Sequence, residues 1–213
     1  MKLILTSDGI GNEIAQRKLA EMVDMPLSSC SGCIVTTASS KKQHSETALE
    51  TKAVLERMGF AAIDFLDIEY EDSAKLKDYG LIYLNGGNPF YLLNQLRSRE
   101  CIPILRQLAV QAVIVGTSAG AMVLAHSLAH VNELDVIAGY RPMDIEELNK
   151  DYEAVGLTDI TVIPHYNRFI DKDPDFENKL GQLEDKWKMS FERVNDGEAV
   201  IVNGLAIERI HAS

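Results

Sequence analysis

Short apolar runs alternate with longer segments of helical periodicity along most of the chain. The runs predict strands, and the segments in which apolar residues recur at helical spacing predict helices. The predicted strands cover residues 3–6, 33–37, 61–66, 81–84, 113–115, 160–163, 199–202 and 205–210. The predicted helices cover residues 12–23, 46–58, 91–95 and 176–189.

The strand–helix alternation indicates an α/β fold. The runs are nearly continuous in apolar character, which is typical of parallel strands buried on both faces. Right-handed crossovers then predict a doubly wound, mostly parallel sheet with helices on both faces. Asn203-Gly204 is a strong hairpin signal, so we expect a C-terminal antiparallel hairpin. We expect residues 1–213 to form a single domain.

Acidic residues outnumber basic residues by 32 to 21, which gives a formal net charge of −11. This charge repels phosphate backbones and anionic lipid surfaces, so neither nucleic acid nor a membrane is expected as a partner. The apolar stretch in residues 1–7 is too short for a signal peptide, and we expect a cytoplasmic protein. The expected oligomeric state is a monomer or a homodimer.

The apolar run at 113–115 ends in G-T-S-A-G at 116–120. A strand followed by G-x-S-x-G and a helix is the pattern of a nucleophile elbow, in which the serine hydroxyl projects from a tight turn. Ser118 is therefore the candidate nucleophile, and the N–H of Ala119 is a candidate oxyanion donor. The alternative is a crossover of small residues that contains a serine only for packing.

A second glycine-rich turn, N-G-G-N-P at 85–89, follows the strand at 81–84. Adjacent glycines allow backbone N–H groups to approach a ligand closely, so Gly86, Gly87 and Asn88 are candidate oxyanion or substrate-binding residues. The alternative is an ordinary turn with a helix that begins at Pro89.

His165 directly follows the apolar run at 160–163 and Pro164. The carboxyl ends of parallel strands meet at one edge of a sheet, so His165 is placed to act as the base for Ser118. The orienting acid stays open at this point. The candidates are Asp196, Glu133 and Asp135, with Asp144 and Glu198 as weaker ones.

Four other patterns are weaker predictors of function. Residues 7–12 contain G-x-G without the third glycine of a dinucleotide fingerprint, so a plain turn is favoured and no cofactor is expected. His126 and His130 would share a helix face, but without the carboxylate of a zinc motif no metal site is expected. Cys30 and Cys33 precede a strand, which disfavours a redox role. Residues 131–158 are polar and irregular, which predicts a loop-rich insertion or lid.

Together, N-G-G-N-P-F-Y-L-L at 85–93, G-T-S-A-G-A at 116–121 and P-H-Y at 164–166 resemble the peptidase E group of serine peptidase family S51. The resemblance extends over nearly the whole chain. It implies a class I glutamine-amidotransferase-like fold with serine as the nucleophile. On this basis Ser118 is the nucleophile, His165 the base, and Gly87 and Ala119 the oxyanion donors.

The resemblance also bears on the acid and on specificity. N-D-G at 195–197 resembles the acid-glycine turn of the family, which favours Asp196. The family recognises an N-terminal aspartate through cationic residues, and Arg168 is the one arginine within a turn of His165. We therefore expect Arg168 to contact an acidic substrate side chain, with a surface pairing to Asp171 or Asp173 as the alternative.

The sequence thus predicts a serine peptidase of dipeptidase type that hydrolyses short peptides, with an N-terminal aspartate as one candidate preference. Two other hypotheses remain. One is a cyanophycinase-like hydrolase of another small amide substrate, and the other is a non-catalytic binding module with an amidotransferase-like fold.

Overall fold

The computed structural model of the protein describes residues 1–141 and 152–212. Its main sheet has seven strands in the order β3-β2-β4-β5-β1-β8-β9. The first five are parallel, and β8 and β9 continue the sheet in antiparallel fashion. The strands are β1 (Lys2–Thr6), β2 (Ser31–Val35), β3 (Ala62–Leu66), β4 (Leu81–Leu84), β5 (Val113–Thr117), β6 (Thr161–Pro164), β7 (Phe191–Val194), β8 (Ala199–Asn203) and β9 (Ala206–Ile210).

Helices cover both faces of this sheet, because alternate strand residues point to opposite sides. In β1, Leu3 and Leu5 face one apolar core, whereas Ile4 faces the other. Helices α1 and α2 cover the Ile4 side, and the remaining helices pack on the Leu3 side. The helices are α1 (Glu13–Met22), α2 (Glu46–Met58), α3 (Pro89–Ser98), α4 (Cys101–Leu108), α5 (Ala119–Met122), α6 (Val131–Ile137), α7 (Tyr166–Lys172) and α8 (Phe176–Trp187).

Polar side chains define where three of the helices begin. Asn12 caps α1 by accepting a hydrogen bond from the N–H of Ile14 at 2.8 Å. Ser45 caps α2 and Asn88 caps α3 in the same way, each accepting from an N–H in the first turn. Such caps satisfy backbone donors that have no partner within the helix.

The mostly parallel sheet, its two helical layers and the C-terminal antiparallel pair are confirmed. The strand that precedes His165 differs from the expectation, because β6 does not join the main sheet. It pairs in parallel with β7 in a separate two-stranded sheet that packs into the Leu3-side core. The pattern of apolar residues does not predict β7, because this strand is short and has Glu192 and Arg193 at its centre.

The described part of the segment predicted as a loop-rich insertion contains the helix α6, which buries Val131 and Leu134. The rest of that segment includes residues 142–151, which lie outside the described residues, as does the candidate acid Asp144. None of the described helices is long and apolar enough to cross a membrane.

Candidate active site

Ser118 directly follows β5 and has a backbone conformation that side-chain-bearing residues rarely adopt, with φ 50° and ψ −115°. The glycines on either side allow this turn. A Cβ at Gly120 would lie 2.0 Å from the carbonyl oxygen of Leu84, and one at Gly116 would lie 2.5 Å from that of Gly120. The G-x-S-x-G spacing therefore forms a strained elbow that holds the serine at the carboxyl edge of the sheet.

A cluster of three buried hydroxyl groups lies beneath the elbow. The hydroxyl of Thr117 contacts that of Thr6 at 2.8 Å and also the phenol of Tyr83. The N–H of Ser118 donates to the carbonyl of Thr6 at 3.0 Å. These contacts tie the elbow to β1 and β4, so the strained turn is held by its surroundings.

His165 lies between β6 and α7 and also has positive φ, at 58°. Its Nε2 is 3.1 Å from the Oγ of Ser118, and its Nδ1 is 2.8 Å from Oδ1 of Asp196. These distances fit the tautomer in which Nδ1–H donates to the carboxylate and Nε2 accepts the serine proton. The structure thus brings Ser118, His165 and Asp196 into one continuous chain of hydrogen bonds.

The carboxylate of Asp196 receives three side-chain donors. His165 and Ser7 both bond Oδ1, the hydroxyl of Ser7 at 2.7 Å, and Nε of Arg168 donates to Oδ2. Burial opposes ionisation of Asp196, but the hydrogen bonds from Ser7, His165 and Arg168 outweigh it and lower the pKa of the carboxyl. Asp196 therefore stays ionised, which is the state that an orienting acid needs.

The sequence reading missed Ser7 as a site residue. Besides Asp196, its Oγ contacts His165 twice, accepting from the backbone N–H at 2.7 Å and lying 3.2 Å from Nδ1. The available signal was its position at the carboxyl end of β1, the edge at which the other candidates were expected.

The turn that carries Asp196 is anchored by the loop between β1 and α1. The N–H of Gly197 donates to Asp8 at 2.8 Å, and the amide of Asn12 donates to the carbonyl of Gly197 at 2.9 Å. Asn167 accepts from the N–H of Asp196 at 3.0 Å. The G-x-G at 9–11 thus lies in a plain βα turn whose neighbours hold the Asp196 turn in place.

The second glycine turn lies beside Ser118. A Cβ at Gly86 would be 3.4 Å from the Cβ of Ser118, and at Gly87, which has φ +144°, a Cβ would lie 2.2 Å from the carbonyl oxygen of Ala38. The N–H of Gly87 bonds no other described residue, and Ala119 opens α5, so its N–H has no acceptor within the helix. Both N–H groups are free to bind an oxyanion, whereas the side chain of Asn88 caps α3.

The other acid candidates among the described residues do not reach His165. Glu133 pairs with Lys186 at 2.7 Å on the side of α6 that faces α8. Glu198 accepts from the N–H of Asn195 at 2.9 Å. Asp135 lines a cavity of about 250 Å³ that Ser118 and His165 also line, but it bonds neither of them.

Arg168 contacts Asp196, and it pairs with neither Asp171 nor Asp173.

His126 and His130 do not share a helix face: His126 bonds Asp159, and His130 is buried with its ring against Phe191. In the part of the chain that the structure describes, no cluster of His, Cys, Asp or Glu could hold a metal ion. Cys30, Cys33 and Cys101 are all buried free thiols.

Comparison with known proteins identifies the family. A model of peptidase family S51 matches residues 3–210. An uncharacterized peptidase of Listeria innocua is 32% identical over 121 residues, which are 54% of each chain. A probable alpha-aspartyl dipeptidase of Drosophila melanogaster is 27% identical over 127 residues, 59% of this chain and 48% of the relative. The chain thus spans about half the length of these curated relatives.

A crystal structure of a peptidase E candidate from Listeria monocytogenes EGD-e has the same fold. It superposes with a TM-score of 0.75 over 100% of this chain and 98% of the other, at 24% identity. The chain belongs to peptidase family S51, which confirms the resemblance inferred from the three motifs.

Proposed function

We propose that this member of peptidase family S51 is a serine peptidase that cleaves short peptides through an acyl-enzyme on Ser118. The observation that carries the proposal is the chain of contacts from Ser118 Oγ through the ring of His165 to Asp196. A serine hydroxyl is a weak nucleophile by itself, and this arrangement supplies both the base and the group that orients it.

The geometry suits acyl transfer. His165 Nε2 removes the proton as Ser118 Oγ bonds the scissile carbonyl carbon, and the N–H groups of Gly87 and Ala119 bind the resulting oxyanion. His165 then gives the proton to the leaving amine as the C–N bond breaks. Water, activated by the same imidazole, attacks the acyl ester and releases the carboxylic acid product and the free hydroxyl of Ser118. Asp196 stabilises the imidazolium in both halves of the reaction.

Two observations support a short substrate. The cavity beside Ser118 and His165 measures about 250 Å³, which is below the roughly 300–1,000 Å³ of pockets for drug-sized ligands. One relative is named as a dipeptidase. We therefore infer that the cavity holds a single residue of the substrate next to the scissile bond.

The finer part of the prediction is a preference for substrates with an N-terminal aspartate. The name of the Drosophila relative supports it. Two features of the site oppose it: Arg168 is engaged by Asp196, and the described residues that line the cavity include no lysine or arginine. A buried substrate carboxylate without a cation would cost several kcal/mol.

Labelling with a fluorophosphonate probe, followed by peptide mapping, tests the proposal. We expect covalent label on Ser118, none in Ser118→Ala, and full labelling in Ser98→Ala, which removes an exposed serine at the end of α3. Hydrolysis of a dipeptide panel should follow the same pattern. A folded protein that takes no label and cleaves no dipeptide would contradict the proposal and favour the non-catalytic module.

A further inference from the structure

The cavity next to Ser118 and His165 is largely apolar. Its walls include Met122 of α5, Leu134 of α6 and Phe169 of α7, and its size suits one amino-acid side chain. Asp135 of α6 is the one carboxylate among the described residues that line it.

No described residue neutralises Asp135. Its carboxylate forms no hydrogen bond or ion pair with any of them. The neighbouring helices α7 and α8 carry four cations, and each has another partner: Lys172 donates to the carbonyl of Ala138, Lys186 pairs with Glu133, Lys179 pairs with Asp173, and Arg168 bonds Asp196. Burial raises the pKa of Asp135 to about 6, and no cation offsets that effect. An unpaired, partly buried carboxylate costs folding free energy, which a cationic ligand would recover.

We propose that Asp135 binds a cationic group on the substrate residue whose carbonyl Ser118 attacks, so that the site disfavours an acidic residue and, where the cation is the side chain, prefers a basic one. The inference rests on the proposed function, because it places this residue in the cavity beside Ser118. The cation is either the α-ammonium of an N-terminal residue or the side chain of lysine or arginine. Both make the same charge-assisted hydrogen bonds to a carboxylate.

The charge of the whole chain acts in the same direction. A net charge of −11 attracts cationic ligands and repels anionic ones. The neighbouring cavity, which meets this one at Gly87, contains Lys42, but Asp67 and Glu69 hold that ammonium at 3.2 and 2.6 Å. The charge of Lys42 is therefore already neutralised by two carboxylates, and this lysine does not offer a site for the carboxylate of an acidic substrate.

Binding to Ser118→Ala, measured by calorimetry at pH 7.5, tests the inference without turnover. The ligands are Lys-Leu, Ala-Leu, Asp-Leu and Nα-acetyl-Lys-Leu. At this pH Asp135 is ionised, and we expect Lys-Leu to bind roughly tenfold or more tightly than Asp-Leu. Adding Asp135→Asn should abolish that ratio, and Asp135→Lys should reverse it. The matched control Glu133→Gln, on the same helix but outside the cavity, should keep it.

The acetylated ligand distinguishes the two sources of charge. If Asp135→Asn weakens Lys-Leu and Nα-acetyl-Lys-Leu but leaves Ala-Leu unchanged, the side-chain ammonium binds Asp135; if it weakens Lys-Leu and Ala-Leu alike and leaves the acetylated ligand unchanged, the α-ammonium does. Both results support the inference. A Lys-Leu to Asp-Leu ratio that is the same in the Asp135→Asn and parent proteins would overturn it, as would tighter binding of Asp-Leu to the parent.

Failure of this inference is distinguishable from failure of the proposed function. If wild-type Ser118 takes the fluorophosphonate label but the Lys-Leu to Asp-Leu affinity ratio does not change in Asp135→Asn, only the role of Asp135 is rejected. Absence of the label from a folded wild-type protein would reject the peptidase, and with it the scissile-bond placement on which the inference rests.

Discussion

Two aspartates near the same histidine have opposite environments. Asp196, in the turn before β8, receives hydrogen bonds from Ser7, His165 and Arg168, which lower the pKa of its carboxyl despite burial. Asp135, on α6, receives no donor from the described residues, and burial raises the pKa of its carboxyl to about 6. One carboxylate is held in place by its neighbours, and the other is left without a partner in a cavity.

The difference shows how environment assigns roles to identical side chains. A carboxylate that is ionised and hydrogen-bonded to Nδ1 can orient an imidazole, whereas one without a donor is available to a ligand. Both aspartates were candidates for the acid that orients His165, and position in the sequence could not separate them. Contact with His165 favours Asp196, and four measurements test that contrast.

The largest effect should come from Asp196. In Asp196→Ala we expect kcat to fall by about 10⁴-fold, because His165 loses the group that sets its tautomer and stabilises its charged form. Asp135→Ala should keep kcat for Ala-Leu within about tenfold. Steady-state hydrolysis of Ala-Leu, with circular dichroism to verify folding, measures both. Equal losses in the two variants would contradict the assignment of the acid.

Ser7 should give the next largest effect. Ser7→Ala removes a donor to Asp196 and the acceptor for the His165 N–H, and we expect kcat to fall roughly 10- to 100-fold with little change in KM. Ser7→Thr, which keeps a hydroxyl, should restore part of the loss. The kinetics of Ala-Leu hydrolysis by the two variants supply the comparison, and a KM effect alone would argue against a positioning role.

Asp135 should affect the free energy of unfolding in a way that depends on pH. Its folded pKa of about 6 lies above the unfolded value of roughly 3.9, so its ionisation opposes folding. The penalty is absent below about pH 4 and complete above pH 6. Asp135→Asn should therefore raise the free energy of unfolding at pH 7 by about 1–2 kcal/mol, after allowance for partial exposure, and by nothing near pH 4.

Urea denaturation at both pH values measures this difference. Besides Asp135, helices α6, α7 and α8 carry nine charged side chains, none of which forms a hydrogen bond or ion pair with Asp135: Glu133, Arg168, Asp171, Lys172, Glu177, Lys179, Glu184, Asp185 and Lys186. The control Asp171→Asn, at an exposed position, should change stability by less than about 0.5 kcal/mol. A gain that persists unchanged at pH 4 would show that burial of the charge is not its cause.

Arg168 should have the smallest effect. The guanidinium is 60% exposed and bonds Oδ2 of Asp196, so we expect Arg168→Met to lower kcat several-fold and Arg168→Lys to recover part of it. If Arg168 acts only through Asp196, the ratio of Asp-Leu to Ala-Leu hydrolysis should not change. A selective loss of Asp-Leu hydrolysis in Arg168→Met would instead support the contact with substrate that the sequence suggested.

The sequence alone determined the parts of the molecule that depend on neighbours along the chain. The apolar runs identified the strands of the main sheet, and Asn203-Gly204 identified its terminal hairpin. G-x-S-x-G identified the elbow at Ser118, because its strain and close packing depend on the glycines two residues before and after the serine. The position of His165 directly after a strand predicted that it would lie near Ser118, and the two side chains do meet, although β6 belongs to a different sheet.

Tertiary structure decided what depends on residues far apart in the chain. Ser7 lies 158 residues before His165 and 189 before Asp196, and no local pattern signals that their side chains meet. Packing likewise gives the three acids different environments. Glu133 forms an ion pair, Asp135 lines a cavity without a partner, and Asp196 bonds His165. Hydrogen bonds and burial are set by distance in space, so these roles existed only once the sheet had brought its strand ends together.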